Sequence, residues 1–345
     1  MLGLWLIAGL LVFGWVVGLA WRLRGAMIAV AWAGFVALHL LVPASDAAQA
    51  IGGSARGWLV LGGVVGVVLA YRAALSRLRA RAVPLDTPAP RDGITDSELD
   101  RYARHIVLRE VGGPGQMRLR DARVLIVGAG GLGAPVCLYL AAAGVGRITV
   151  ADDDRITLSN LQRQVIFRTD QCGEGKADTA AAAMSALNPH CQVTPLNRRV
   201  TGDDADLIAA HDLVIDGTDR FAARDAINRA CVAAGVPLIA GAIAQWDGQV
   251  TLYDPARGGP CLACLFPDAP APGLAPPCAE SGVIGPLPGV IGSLMAFEAV
   301  KHLTGAGQGL RGRMMMFDGL YGDTRMIETT ARAGCLVCGT GKETA

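Results

Sequence analysis

Neither sign of charge is in excess. Thirty-one basic and thirty acidic residues leave a net charge of +1, which removes nucleic acid as a general partner. Lysine is scarce: Lys176, Lys301 and Lys342 are the three among 31 basic side chains, so arginine carries the positive charge. Charge is missing altogether from Leu2 to Trp21, a stretch long enough to cross the ~30 Å hydrocarbon core as a helix. Internal repeats are also absent, which excludes solenoid and propeller folds.

What is present is an apolar beginning. Mean hydropathy is +0.39, and the excess sits in the first 75 residues. After Arg22 and Arg24, Ala26 to Val42 forms a second apolar run, broken only by His39. His39 is expected near an interface or between helices. A third run, Gly57 to Tyr71, is short and needs flanking or snorkelling arginines to span. A cleavable signal peptide competes for the first run. It would want a basic start and a shorter apolar core, so retained membrane helices are expected instead. Loop arginines set their orientation. Arg22 and Arg24 form one basic segment, and Arg72, Arg77, Arg79 and Arg81 another. Three spans with the N-terminus outside put both, and all that follows, in the cytoplasm. This predicts a membrane anchor over 1–82, a Pro-rich linker over 83–93 and a soluble domain over 94–345, held at the inner (cytoplasmic) membrane.

The soluble part opens with a capping box, Thr95 and Glu98, before a helix expected to carry "RYARHIVLREVG". From Arg123 strands and helices alternate: "RVLIVG", "APVCLYLAAAG", "RITVAD", "KADTAAAAMSAL", "QVTPLNRRV", "DLVIDG", "RDAINRACVAAG", "PLIAGA". Such alternation predicts a Rossmann-like, doubly wound α/β fold with a mostly parallel sheet. "DGQVTLYDP" reads as an antiparallel extension, "GVIGSLMAFEAVKHLTG" as a late helix and "RMMMFDG" as a buried late strand.

Gly128, Gly130 and Gly133 complete G-x-G-x-x-G between a strand and a helix, with Gly131 inside it. Glycines let backbone approach phosphate, and the helix N-terminus stabilises its charge. The motif implies a nucleotide without naming it. Asp152 ends the next strand, where a carboxylate accepts ribose hydroxyls. Two CxxC pairs, Cys261/Cys264 and Cys335/Cys338, suit tetrahedral Zn2+. Four thiolates close the shell, so the metal would be structural. Cys137, Cys172, Cys191 and Cys231 have no partner pattern; Cys137 and Cys231 fall in helices and read as small buried hydrophobes.

"GAGGLG", "ADDDRITLSNLQRQ", Lys176 and "DGTDR" follow one another in the order of the E1-like adenylyltransferases of the ubiquitin-activating superfamily, which the chain resembles from about Arg101 to Cys338. The bacterial activators of sulfur carriers for molybdopterin and thiamine synthesis are the most similar branch; a tRNA-modifying dehydratase branch belongs to the same superfamily. The resemblance implies ATP and Mg2+ as well as Zn2+. Arg163 and Lys176 would bind triphosphate with help from Asn160. Asp219 would ligate Mg2+. Arg104 would reach into the second subunit of a homodimer. Cys278, in a Pro-rich loop before a helix, matches a cysteine that some relatives link to the carrier, and the helix N-terminus could lower its pKa. The implied reaction adenylates the C-terminal glycine of a small ubiquitin-like sulfur carrier ending in Gly-Gly, releasing pyrophosphate. With no rhodanese-like segment in the chain, sulfur is expected from a separate donor. Two positions depart from the pattern. Arg220, counted with the nucleotide-binding residues, stands where related chains usually carry Asn, which would alter the adenine or phosphate contacts, or the substrate, or weaken the activity; His105 stands where they often carry Gln. An NAD-dependent oxidoreductase would use the glycine turn and Asp152 but leave Arg163, Lys176 and the cysteine pairs without purpose. A non-catalytic membrane adaptor of the same fold would explain Arg220 and the anchor.

Overall fold

The computed structural model describes residues 2–18, 21–81, 94–269 and 282–339. Two compact units divide at Gly93 and Ile94.

In the N-terminal unit, α1 (Leu2–Val16), α2 (Trp21–Leu41), α3 (Asp46–Ile51) and α4 (Ala55–Arg81) follow one another. The first apolar run does not form one 20-residue helix. It breaks at Val17 and Gly18, where Gly18 takes φ +70°. The 15 residues of α1 reach ~22 Å, short of the hydrocarbon core. Among the described residues two helices are long and apolar enough to cross a membrane, over Leu23–Leu41 and Ala55–Arg72. The third run is longer than its apolar residues suggest, because α4 continues through the arginines for 27 residues. A glycine lets α2 and α4 meet. A Cβ on Gly62 would lie 2.3 Å from the Trp32 ring. The Trp32 Nε1–H donates to the Trp58 carbonyl at 2.8 Å, and the Phe35 and Trp58 rings lie 5.2 Å apart. His39 Nδ1 lies 2.8 Å from the Phe35 carbonyl, on its own helix.

In the second unit, Thr95 and Glu98 complete the capping box that opens α5 (Asp96–Ile106). That helix stops sooner than expected. "VLREV" turns, Gly112 takes φ +59°, and α6 (Gly112–Asp121) starts a new direction. The sheet begins with β1 (Arg123–Val127), crosses through α7 (Gly133–Ala143) to β2 (Arg147–Ala151) and through α8 (Lys176–Leu187) to β3 (Gln192–Leu196). After α9 (Ala205–Ala209), the chain returns to the other side of β1 as β4 (Leu213–Asp216), then α10 (Phe221–Ala234), β5 (Leu238–Ala244) and β6 (Asp247–Tyr253). Short α11 (Leu262–Leu265), long α12 (Pro286–Thr304), β7 (Arg313–Asp318) and β8 (Asp323–Glu328) finish it. Strand order is β3-β2-β1-β4-β5-β6-β7-β8. The first five strands are parallel and the last three antiparallel.

Both faces of the central parallel strands β1 and β4 are buried. Val124 and Ile126 of β1 pack with α7, α8 and α12, whereas Leu125 and Val127 pack with α9 and α10. Strand residues alternate faces, so continuous apolar strands need helices on both sides, as the expected doubly wound fold requires. Three strand readings are corrected. β8 has no counterpart in the sequence pattern, because all six residues are exposed and give no alternation. The methionines of β7 are not all buried: Met314 is, but Met316 is 38% exposed. β3 ends at Leu196 instead of Val200, which releases Arg198 and Arg199 toward the site below.

Candidate active site

Order reverses between β1 and β4: β2 and β3 lie on one side, β5 onward on the other. Open α/β sheets bind ligands in the crevice that this reversal leaves at the strand C-termini. A cavity of about 1300 Å³ lies there, lined by the ends of β1, β2 and β4 and by β5. Gly128, Gly130, Gly131, Asp152, Asn160, Arg163, Lys176, Asp219 and Arg220 all line it.

The turn after β1 is built by close approach. Gly128 has φ +92°, and a Cβ there would sit 3.2 Å from the Gly217 carbonyl group. Gly133 does not line the cavity. A Cβ on it would fall 1.8 Å from the Gly128 oxygen, so this third glycine serves helix–strand packing, a correction to its reading as a ligand contact. Asp152 holds the turn in place. Its Oδ2 accepts the Ala129 N–H at 2.7 Å and its Oδ1 the Asp154 N–H at 2.8 Å. Burial pushes this carboxyl above its ordinary range, against the pull of Lys176 and the two backbone bonds.

Lys176 begins α8 and is buried, yet its Nζ reaches Asp154 Oδ2 at 2.8 Å. That hydrogen bond, opposed by partial burial and helped by the charges of Lys176, Arg199 and Arg220, holds Asp154 below the usual carboxylate range. Asp153 pairs with Arg199 at 2.7 Å. One oxygen from each of Asp152, Asp153 and Asp154 lies within 4.8 Å of the others. Across the cavity, the loop after β4 carries Asp219 and Arg220. Asp216 beneath it accepts the Thr218 N–H and Oγ1–H at 2.8 and 2.7 Å. Burial raises the Asp216 pKa, with Arg224 opposing. Arg224 donates to the Thr218 and Gly241 carbonyls and so ties this loop to β5.

"SNLQRQ" is a tight turn, in which the Asn160 carbonyl accepts the Arg163 and Gln164 N–H groups at 3.1 and 3.0 Å. Arg163 is half-buried and bonds the Ser159 carbonyl at 3.2 Å. Gln164 is buried and lines the cavity. Sequence reasoning misses it, as it misses Arg198, Arg199 and Arg224. Gln164 is the last letter of the most specific motif, which is the available signal. Arg198 and Arg199 follow β3, where Pro195 and Asn197 are the available turn signals.

Arg104 is exposed on α5 and does not line this chain's cavity. His105 Nδ1 lies 3.2 Å from Gln116 Oε1. Cys278 lies outside the described residues. Cys137, Cys191 and Cys231 are buried and Cys172 is exposed.

The four paired cysteines come together from distant parts of the chain. Cys261 Sγ lies 3.8 Å from Cys264 and 3.7 Å from Cys335, and Cys264 lies 3.5 Å from Cys338. A disulfide needs ~2.05 Å, whereas four sulfurs ~2.3 Å from one tetrahedral metal stand ~3.75 Å apart. The cluster therefore fits a Zn2+-type ion.

The ThiF family model matches residues 102–337. The chain is 47% identical over 250 residues to the sulfur carrier protein adenylyltransferase of Thermus thermophilus, covering 71% of this chain and 92% of that one. It is 44% identical over 249 residues to the molybdopterin-synthase adenylyltransferase of Escherichia coli, covering 71% and 98%. The crystal structure of E. coli MccB with ATP shares the fold, with a TM-score of 0.61 at 23% identity over 69% of this chain and 74% of that one.

Proposed function

Because the chain belongs to the ThiF family, we propose that its second unit is an E1-like adenylyltransferase acting on a ubiquitin-like sulfur carrier. A terminal carboxylate oxygen of the carrier attacks the α-phosphorus of ATP. The bond to the β-phosphate oxygen breaks, pyrophosphate leaves, and an acyl-adenylate remains. Charge grows on the phosphoryl oxygens and on the leaving group, and fixed cations stabilise it best where water is scarce. The observation that carries this reading is Lys176, a buried ammonium at the cavity wall. Hydride transfer to NAD has no use for it.

Arg163 and Lys176, with Asn160, are assigned to the triphosphate, and Asp152 to the ribose. Arg220 adds charge on the far wall. Asp219, facing the same cavity as the carboxylates of Asp152, Asp153 and Asp154, offers an oxygen donor of the kind Mg2+ prefers. Bound there, the ion would neutralise phosphate charge. The four-cysteine cluster is assigned a structural Zn2+. Arg104 is assigned to the site of a second copy in a homodimer, and Cys278 to a link with the carrier. Sulfur comes from a separate donor, toward molybdopterin, thiamine or another thio-product.

The N-terminal unit is assigned to the membrane. With α1 too short to span, α2 and α4 cross as a pair. The Arg22/Arg24 end of α2 and the Arg72–Arg81 end of α4 then fall on one side, so two spans keep both basic segments cytoplasmic. Three spans are not needed for that agreement.

ATP–pyrophosphate exchange by the full chain, assayed with Gly-Gly-ending ubiquitin-like carriers, tests the reaction. Exchange that requires a carrier supports it, and no exchange with any carrier overturns it.

A further inference from the structure

Gln164 is 4% exposed and lines the cavity, yet its Oε1 has no hydrogen-bond partner among the described residues. Its Nε2 sits 3.6 Å from where a Cβ on Gly130 would stand. The amide therefore lies against the glycine turn. Leaving a buried acceptor unmet costs free energy comparable to a lost hydrogen bond, and such a group at a cavity wall calls for a ligand that donates.

The triphosphate cannot be that ligand, since phosphate oxygens only accept. Ribose hydroxyls donate, but Asp152 already waits for them at the end of β2. The adenine amino group also donates, but it lies at the other end of the nucleotide from the phosphates; beyond the nucleotide, one donor is bound to lie beside the α-phosphorus. The carrier's last residue attacks through its own carboxylate, so its peptide N–H must sit two atoms from the attacking group. Glycine turns hold phosphate, and Gln164 stands on this one.

We infer that Gln164 is a tail-positioning residue: its Oε1 accepts the N–H of the carrier's terminal glycine, while its Nε2 faces the phosphate cradle. An amide does both at once, and neither Glu nor Met can. This inference rests on the adenylation reading above. It adds a contact that reads the tail's backbone, in a place where glycine offers no side chain to recognise.

The test is a double perturbation of pyrophosphate exchange by the full-length protein. One carrier ends in Gly-Gly. A semisynthetic copy ends in Gly followed by glycolic acid, which replaces the last N–H with an ester oxygen of nearly the same shape. Enzymes are the wild type, Gln164→Ala and the longer apolar Gln164→Met, each checked for a native melting transition. A buried hydrogen bond predicts about a tenfold fall in kcat/KM for the native carrier in both variants, with any change in KM for ATP the same for both carriers. The ester carrier should cost the wild type about tenfold and the variants almost nothing more. Independent losses that multiply would overturn the inference, as would a raised KM for ATP that 2′-deoxy-ATP abolishes, since that places the amide on the ribose. An inactive wild type would overturn the adenylation reading instead.

Discussion

Replacing Lys176 with methionine removes one charge and keeps the stem. The lysine side chain is 6% exposed, and Asp154, its partner at 2.8 Å, is 60% exposed. The two consequences separate by size. For folding, the released carboxylate turns to water, and a pair with one member this exposed contributes about 0–1 kcal/mol. For catalysis, a preorganised donor aimed at developing oxyanion charge contributes about 2.7–4 kcal/mol, which is a factor of ~10²–10³ in rate. Exchange should therefore fall by that factor while the melting temperature hardly moves. The stability difference also carries a pH signature. The Lys176 hydrogen bond is the leading cause that lowers Asp154 below 3.8. A depressed carboxylate pKa contributes stability above the unfolded value of ~3.9 and loses it as pH falls through the folded one. Wild type and variant should thus differ by a constant amount above about pH 5 and converge in more acid solution. Urea titrations across pH, with exchange measured in parallel, give both numbers. A folded Lys176→Met enzyme that retains exchange within about tenfold of wild type would refute the phosphate role.

Cys335→Ser should reduce bound zinc, measured by elemental analysis, from one ion per chain to almost none and lower the melting temperature by about 10 °C; an unchanged metal content defeats the cluster. Gly133→Ala forces a methyl onto a backbone oxygen at 1.8 Å and should destabilise by about 3 kcal/mol, read as a lower urea midpoint at constant slope. Removing residues 1–93 follows the boundary between the two units. The product should be soluble, with exchange close to that of the full chain, whereas the full chain should sediment with membranes and resist alkaline washing. Full-length protein in the supernatant would rule out the anchor.

Where local chemistry decides, the sequence is readable. Thr95 and Glu98 are sufficient to start α5, and Gly144, with φ +85°, ends α7 where expected. The Gly-rich turn places the cavity because strand, turn and helix are contiguous. Failures come where long-range contacts decide. Gly112, Gly113 and Pro114 announce a break nearby, but nothing in "VLRE" says that the helix stops as early as Ile106. β8 forms through pairing with β7, and its own residues lack the β pattern. Gln164 looks like one more polar letter. Its meaning lies in burial without a partner, which no spacing reveals. The arginines at 198 and 199 depend on where β3 stops, the least predictable kind of boundary.

The cysteine cluster joins positions 74 residues apart in the chain. In polymer terms it is a clasp that turns a long segment into a ring. Closing a ring of that size removes roughly 4 kcal/mol worth of freedom from the unfolded chain. The ring takes in α12, β7 and β8, the wing of the sheet beside the nucleotide cavity, and the same segment of sequence carries Cys278. A reagent that strips the metal should act first as a loss of leash on this wing, while β2 and α8, which lead into and carry Asp152 and Lys176, keep their packing on each other and on α7.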